Sequence, residues 1–245
     1  MKEIDTVYNV TVDCVIYAYD FEKLNIIVLE RQLKYPTNDS YIIDDIKLPG
    51  NFLYAREDFD EGAARIVRDL TGLSNIDLHQ FKAFGSPDRT TGEKDLLWFK
   101  HLDYPVNRVY TVAYYSLLKP TQMELPLNSI EHAKWIPVYK INEMAYDHEQ
   151  IVKESIEALR MKIRLQSNLI FQLLPVKFTM RQLLRLYEEI YQVNLDRRNF
   201  AKKVNSLEYI VQLNEKQQDV THKPGWLYMF SNDLYEQSMK EMNIV

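Results

Sequence analysis

Residues 48–73 read LPGNFLYAREDFDEGAARIVRDLTGL, and two periodicities meet in them. From Phe59 onward the apolar side chains Phe59, Ala63, Ile66, Val67 and Leu70 recur at the spacing of one helical face, and Gly72 stands where a helix stops. The spacing predicts a helix of about three turns. Upstream, residues 6–19 and 24–33 are rich in Val, Ile and Tyr and flank a polar stretch holding Asp20 and Glu22, the pattern of a strand pair. Downstream, residues 77–84 and 107–118 resume strand character. Strands therefore alternate with a helix, and the first half reads as α/β or α+β. On that helix, positions 66, 69 and 70 share a face and carry Ile66, Asp69 and Leu70, one carboxylate between two aliphatic groups.

The chain has 245 residues, enough for one to two domains at about 150 residues each. With 46% hydrophobic and 27% charged residues it has the composition of an ordinary globular protein, which excludes collagen-like, disordered and coiled-coil classes. No run approaches the roughly 20 apolar residues of a membrane span. The first residues, MKEIDTVYNV, place acids where a signal peptide has a basic segment, so a cytoplasmic location is expected. The one cysteine, Cys14, lies in an alternating strand-like run and reads as a buried apolar side chain. The net charge of −5 conceals an asymmetry: residues 1–150 carry 16 Lys and Arg against 24 Asp and Glu, whereas residues 151–245 carry 14 against 11. An acidic module joined to a modestly basic one is expected where only the second meets phosphate.

The second half opens with a periodic stretch from Asp147 to Leu174, just before Pro175, which reads as a linker helix. Two helix starts follow. Thr179 precedes Gln182 by three residues, a capping box, with Phe178 and Leu183 placed as a hydrophobic staple; Asp196 caps the next start between Leu195 and Phe200. Helices at 179–191 and 196–205 joined by Gln192-Val193-Asn194 form a helix-turn-helix. Arg197 and Arg198 occupy the first turn of the second helix, where the helix dipole disfavours cations, so a compensating role is expected. With Asn199 and Lys202 they suit a recognition helix facing base edges in the major groove, while Thr179, Arg181 and Lys203 suit phosphates. A strand around Tyr209–Val211, a polar tip holding Lys216 and His222, and the turn Lys223-Pro224-Gly225 before a second strand form a wing, with Lys223 at the minor groove or backbone.

The 48–73 stretch closely resembles the Nudix box, G-x5-E-x7-R-E-U-x-E-E-x-G-U with U apolar, without a gap. Gly50 matches the glycine preceding the box, Glu57 the first glutamate, Arg65 the arginine, Val67 the apolar position, Asp69 the first acid of the pair, and Gly72 with Leu73 the close. Asn51 replaces the box glycine, and Ile66 and Leu70 replace two glutamates that collect divalent cations in the enzymes. Together with FTMRQLLRLYEEIYQVNLDRRNFAKKV at 178–204, HKPGWLYMF at 222–230 and the central FGSPDR and RVYTVAY segments, the chain resembles the Nudix-related transcriptional regulators, the NrtR-like family. The resemblance implies a Nudix-like α/β/α sandwich with a mixed sheet over 1–145, a linker helix over 146–174 and a winged helix over 175–245. It also implies a homodimer on a palindromic DNA operator, and no catalysis.

Effectors in that family include ADP-ribose and, in a branch resembling the arabinose regulators of Bacteroidetes, pentoses. By analogy, Glu30, Arg31, Lys47, Asn51, Asp88 and Arg89 are the candidate effector residues. Their mix of acid, amide and cation favours a neutral sugar such as L-arabinose over a diphosphate, which calls for a net cationic site. No cofactor is expected, and the five histidines show no metal-ligand spacing. The alternatives are a Nudix hydrolase of a nucleoside diphosphate derivative with an atypical metal site, and a protein-interaction adaptor.

Overall fold

The computed structural model describes residues 6–35, 41–104, 108–123, 132–218 and 223–242, and these divide into two units. The first comprises Met1–Tyr17, Asn25–Leu117 and Leu125–Ala158; the second comprises Ala18–Leu24, Leu118–Glu124 and Leu159–Val245.

The first unit is organised around a mixed sheet. Its strands are β1 (Thr6–Tyr19), β2 (Leu24–Lys34), β3 (Tyr41–Lys47) and β4 (Gly50–Tyr54), then β5 (His79–Phe84), β6 (Tyr110–Leu118) and β7 (Lys134–Pro137). They run in the order β3-β2-β1-β6-β5, with β4 on β1 and β7 on β2. Every described side chain of β1 from Val12 to Tyr19 is buried, as are Leu24–Leu29 on β2, so these central strands are covered on both faces. Helix α1 (Phe59–Thr71) buries Ala63, Ile66, Val67 and Leu70. Asp58 caps it in a capping box with Glu61, and Gly72 closes it in the left-handed conformation at φ 81°. The expected helix and its stop agree with this, and so does its face except at Phe59, which is exposed at the first turn. Helix α2 (Glu93–His101) precedes β6 in this unit, and the short α3 (Pro120–Met123) that follows β6 belongs to the second.

Helix α4 (His148–Leu165) is shorter than the linker expected over 146–174. Its regular turns end at Leu165, and Ser167–Leu173 continues as 3-10 helix, whose buried Leu169, Ile170 and Leu173 follow a tighter period. The division between units falls within α4, at Ala158 and Leu159.

In the second unit, β8 (Lys177–Thr179), α5 (Met180–Tyr191), α6 (Arg197–Asn205), β9 (Ile210–Lys216) and β10 (Trp226–Phe230) form a winged helix, with a three-stranded sheet in the order β8-β10-β9. Helix α7 (Asn232–Met242) follows. The Thr179–Gln182 capping box is present, and Phe178 and Leu183 are both buried beside it. An aromatic cluster joins the parts: Phe171 stacks on Phe230 at 4.4 Å, and Tyr209 meets Tyr235 edge-on at 5.2 Å.

Candidate effector cavity and nucleic-acid interface

The loop-helix-loop built by the 48–73 stretch is locked by one ion pair. Arg65 binds Glu57 through Nε and, at 2.8 Å, through Nη2, and the same Nη2 donates to the Phe52 carbonyl at 3.0 Å. Glu57 also accepts the Tyr54 N–H at 3.0 Å, and the Arg65 guanidinium lies 3.7 Å from the Tyr54 ring. The Arg65 hydrogen bond holds the Glu57 carboxyl below its usual range. Glu57 and Arg65 thus brace the loop. A Nudix-type divalent cation does not fit this face: Ile66 and Leu70 are buried, Asp69 lies outward beside Arg68 at 3.1 Å, and Glu57 is committed to Arg65. Among the described residues, no group of three or more His, Cys, Asp or Glu is placed to hold a metal ion.

Above this helix the first unit contains a cavity of about 210 Å³. One wall is aromatic, formed by Trp98, Phe99, Tyr104 and Tyr146, with Phe99 stacked on Tyr146 at 5.5 Å. Tyr146 holds φ 57°, an unusual backbone for a bulky residue and one found at ligand sites. The floor is polar. Asp13, Arg89 and His148 are all buried there; Arg89 meets Asp13 at 3.4 Å and Asp147 at 2.8 Å, and His148 Nε2 lies 3.5 Å from Asp13. His148 Nδ1 accepts the Leu48 N–H at 2.9 Å, so the imidazole is neutral with its proton on Nε2 toward Asp13. Burial, with Arg89 assisting against Asp13, pushes its pKa down to about 4. Gly50 is required beside this floor, because a Cβ there would lie 1.8 Å from Asp13 Oδ1.

The six candidate effector residues separate. Lys47, Asn51 and Arg89 line the cavity. Glu30, Arg31 and Asp88 lie outside its lining. Glu30 pairs with Lys134 across the β2–β7 ladder, and Asp88 is exposed in the turn after β5. Arg31 is 1% exposed and binds Asp45 twice at 2.7 Å and Asp95 at 2.7 Å, with its guanidinium 4.8 Å from the Tyr146 ring. It supports the aromatic wall from behind. Asp13, Trp98, Tyr146 and His148 were not among the sequence candidates. Asp13 had a signal, a carboxylate in the middle of an apolar strand; the others come from segments remote in sequence that only the fold brings together.

In the second unit, Asp196 Oδ1 accepts the Asn199 N–H at 2.8 Å and fixes the start of α6. The helix seats Val204 inward and Phe200 against Tyr187 at 5.5 Å. That leaves Arg197, Arg198, Asn199, Lys202 and Lys203 exposed. Arg181 at the start of α5 and Lys223 before β10 are exposed as well. Thr179 is instead buried, with its hydroxyl committed to the Gln182 N–H at 3.2 Å. On the wing, Lys216 sits 4.5 Å above the Trp226 ring; the tip residue His222 lies outside the described residues.

Residues 170–230 match the family model described as the NrtR DNA-binding winged helix domain. Over 95% of the chain and 86% of its relative, the sequence is 24% identical to the "ADPR responsive transcriptional repressor NtrR" of Acinetobacter baylyi. The fold matches that of Shewanella oneidensis NrtR complexed with a 27mer DNA, with TM-score 0.66, 19% identity and coverage of 93% of this chain and 95% of that one. A MutT/nudix family protein from Enterococcus faecalis matches with TM-score 0.60 and 18% identity over 91% of this chain and 86% of that one. The chain is thus similar over nearly its whole length to the Nudix-related winged-helix regulators of the NrtR family, and its fold is theirs, a Nudix-like α/β domain with a mixed sheet followed by a C-terminal winged helix domain.

Proposed function

We propose that this protein is a ligand-responsive, DNA-binding transcriptional regulator: α6 reads an operator, and the cavity of the Nudix-like domain senses a small effector. The observation that carries the DNA reading is the outward face of α6, five side chains able to contact bases or phosphates on a capped helix of a helix-turn-helix. Arg197, Arg198, Asn199 and Lys202 face the major groove, Arg181 and Lys203 the phosphates, and Lys223 the minor groove or backbone. The protein works as a cytoplasmic homodimer on a palindromic site and is not a hydrolase, since a carboxylate set for magnesium does not assemble on α1.

For the effector, the cavity favours a neutral sugar such as L-arabinose. Its volume equals about seven water molecules at roughly 30 Å³ each, space for one sugar ring. The lining carries Lys47 and Arg89 beside Asp13, Arg89 is also paired with Asp147, and His148 is neutral, so the floor offers the mixed donors and acceptors that suit sugar hydroxyls. The aromatic wall suits the apolar face of a sugar ring. A second reading, ADP-ribose, is favoured by the ADPR-responsive relative.

Capture of sheared genomic DNA by the purified protein tests the proposal, repeated with L-arabinose and then ADP-ribose. Enrichment of a short palindrome released or tightened by one ligand is the expected result. Absence of any enriched fragment, together with magnesium-dependent hydrolysis of ADP-ribose, would establish the hydrolase instead.

A further inference from the structure

The turn between β1 and β2, Asp20-Phe21-Glu22-Lys23, belongs to the second unit, although the strands on either side of it belong mainly to the first. It is fastened to α5. Lys23 Nζ pairs with Glu189 at 2.9 Å, and the Leu24 N–H donates to the other oxygen of the same carboxylate at 3.3 Å. The turn is also held in an unfavourable shape. Phe21 has φ 74°, a conformation that a bulky side chain adopts only when its surroundings impose it. Here Asp20 Oδ1 accepts the Glu22 and Lys23 N–H groups at 2.9 and 2.6 Å, and Tyr19 Oη donates to the Phe21 carbonyl at 2.8 Å.

The turn borders a groove of about 900 Å³ within the second unit. Phe21 and Glu22 form one bank, Arg181 and Arg185 of α5 another, and Lys223 with Trp226 the wing side. Arg181 and Lys223, with the amino-terminal end of the 12-residue α5, suit a phosphate backbone, while Lys23 and Arg185 on the same groove pair with Glu189 and Glu188. Glu22 is exposed in that groove and carries the opposite sign.

On the reading that this domain binds DNA, we propose that the β1–β2 turn is an autoinhibitory latch, strained and clasped by Glu189, that lays Glu22 along the phosphate path of the winged helix. DNA must then displace the turn or bear its charge. The same strand β1 carries Thr11 and Asp13 of the cavity, so an effector there touches the strand that ends in the latch.

The test compares wild type, Glu22→Gln, Glu22→Lys and the control Glu93→Lys, an exposed acid on α2. Glu22 is exposed and, among the described residues, is held in the turn through its backbone N–H to Asp20, so these variants retain the fold. Binding to the captured fragment, or to a random-sequence duplex where none is captured, is read by anisotropy from low to high salt. The expected result is tightening in the order Glu22→Lys, Glu22→Gln, wild type, with the Glu22→Lys salt slope steeper than wild type by about 0.9 and Glu93→Lys unchanged. A wild type that does not bind beside a Glu22→Lys variant that does would support the latch still more directly. Wild type binding as tightly as Glu22→Lys would overturn the latch alone. Absence of binding by every variant would overturn the DNA reading and the latch with it.

Discussion

His148 shows how one buried side chain carries both structure and pH dependence. Its folded pKa lies near 4, below the ordinary 6.5, so between these values the unfolded chain binds more protons than the native one. Stability contributed by neutral His148 is therefore full above pH 6.5 and is lost as pH falls toward 4. Thermal melts of wild type and His148→Gln across pH 4 to 7 are expected to converge as acid removes the wild-type advantage; a constant separation would refute this. Beside it, Asp13 is the acceptor the sugar reading needs. Asp13→Asn keeps the size and leaves Arg89 its pair with Asp147, and L-arabinose affinity measured by calorimetry is expected to fall about tenfold or more, the worth of a charge-assisted hydrogen bond. Unchanged affinity would remove Asp13 from the site.

At the scale of elements, the caps were the most legible feature of the sequence. Thr179 with Gln182, Asp196, and Gly72 each stand at the terminus their chemistry predicts, because capping is decided within four residues. Thr179→Ala is expected to cost about 1 kcal/mol in a denaturant melt, by exposing the start of α5 without emptying the core. Arg198→Ala, exposed on α6, is expected to abolish operator binding at fixed salt while the melt stays that of wild type; undiminished binding would take α6 out of the interface. Less legible were β3, β4, β7 and β8, short strands whose pairing depends on distant partners, such as Ile27 opposite Trp135 and Tyr228 opposite Phe178. The linker's change from α to 3-10 turns at Leu165 likewise follows tertiary packing of Leu169, Ile170 and Leu173.

For the whole molecule, the two-module division was visible in the opposite signs of the two halves, but not the exchange of segments that gives Ala18–Leu24 to the second unit. The candidate site was half visible: Lys47, Asn51 and Arg89 lie beside the diagnostic stretch or in the FGSPDR segment, whereas Trp98, Tyr146 and His148 reach the cavity from helices and loops that no local pattern ties to it. The proposed function requires that binding in the cavity change the DNA affinity of α6. It is tested most directly by anisotropy of the captured duplex on the intact protein, titrated with L-arabinose and, separately, with ADP-ribose at one salt concentration. L-arabinose is expected to shift the dissociation constant, and Asp13→Asn to abolish that shift. A duplex affinity that neither ligand alters would contradict it.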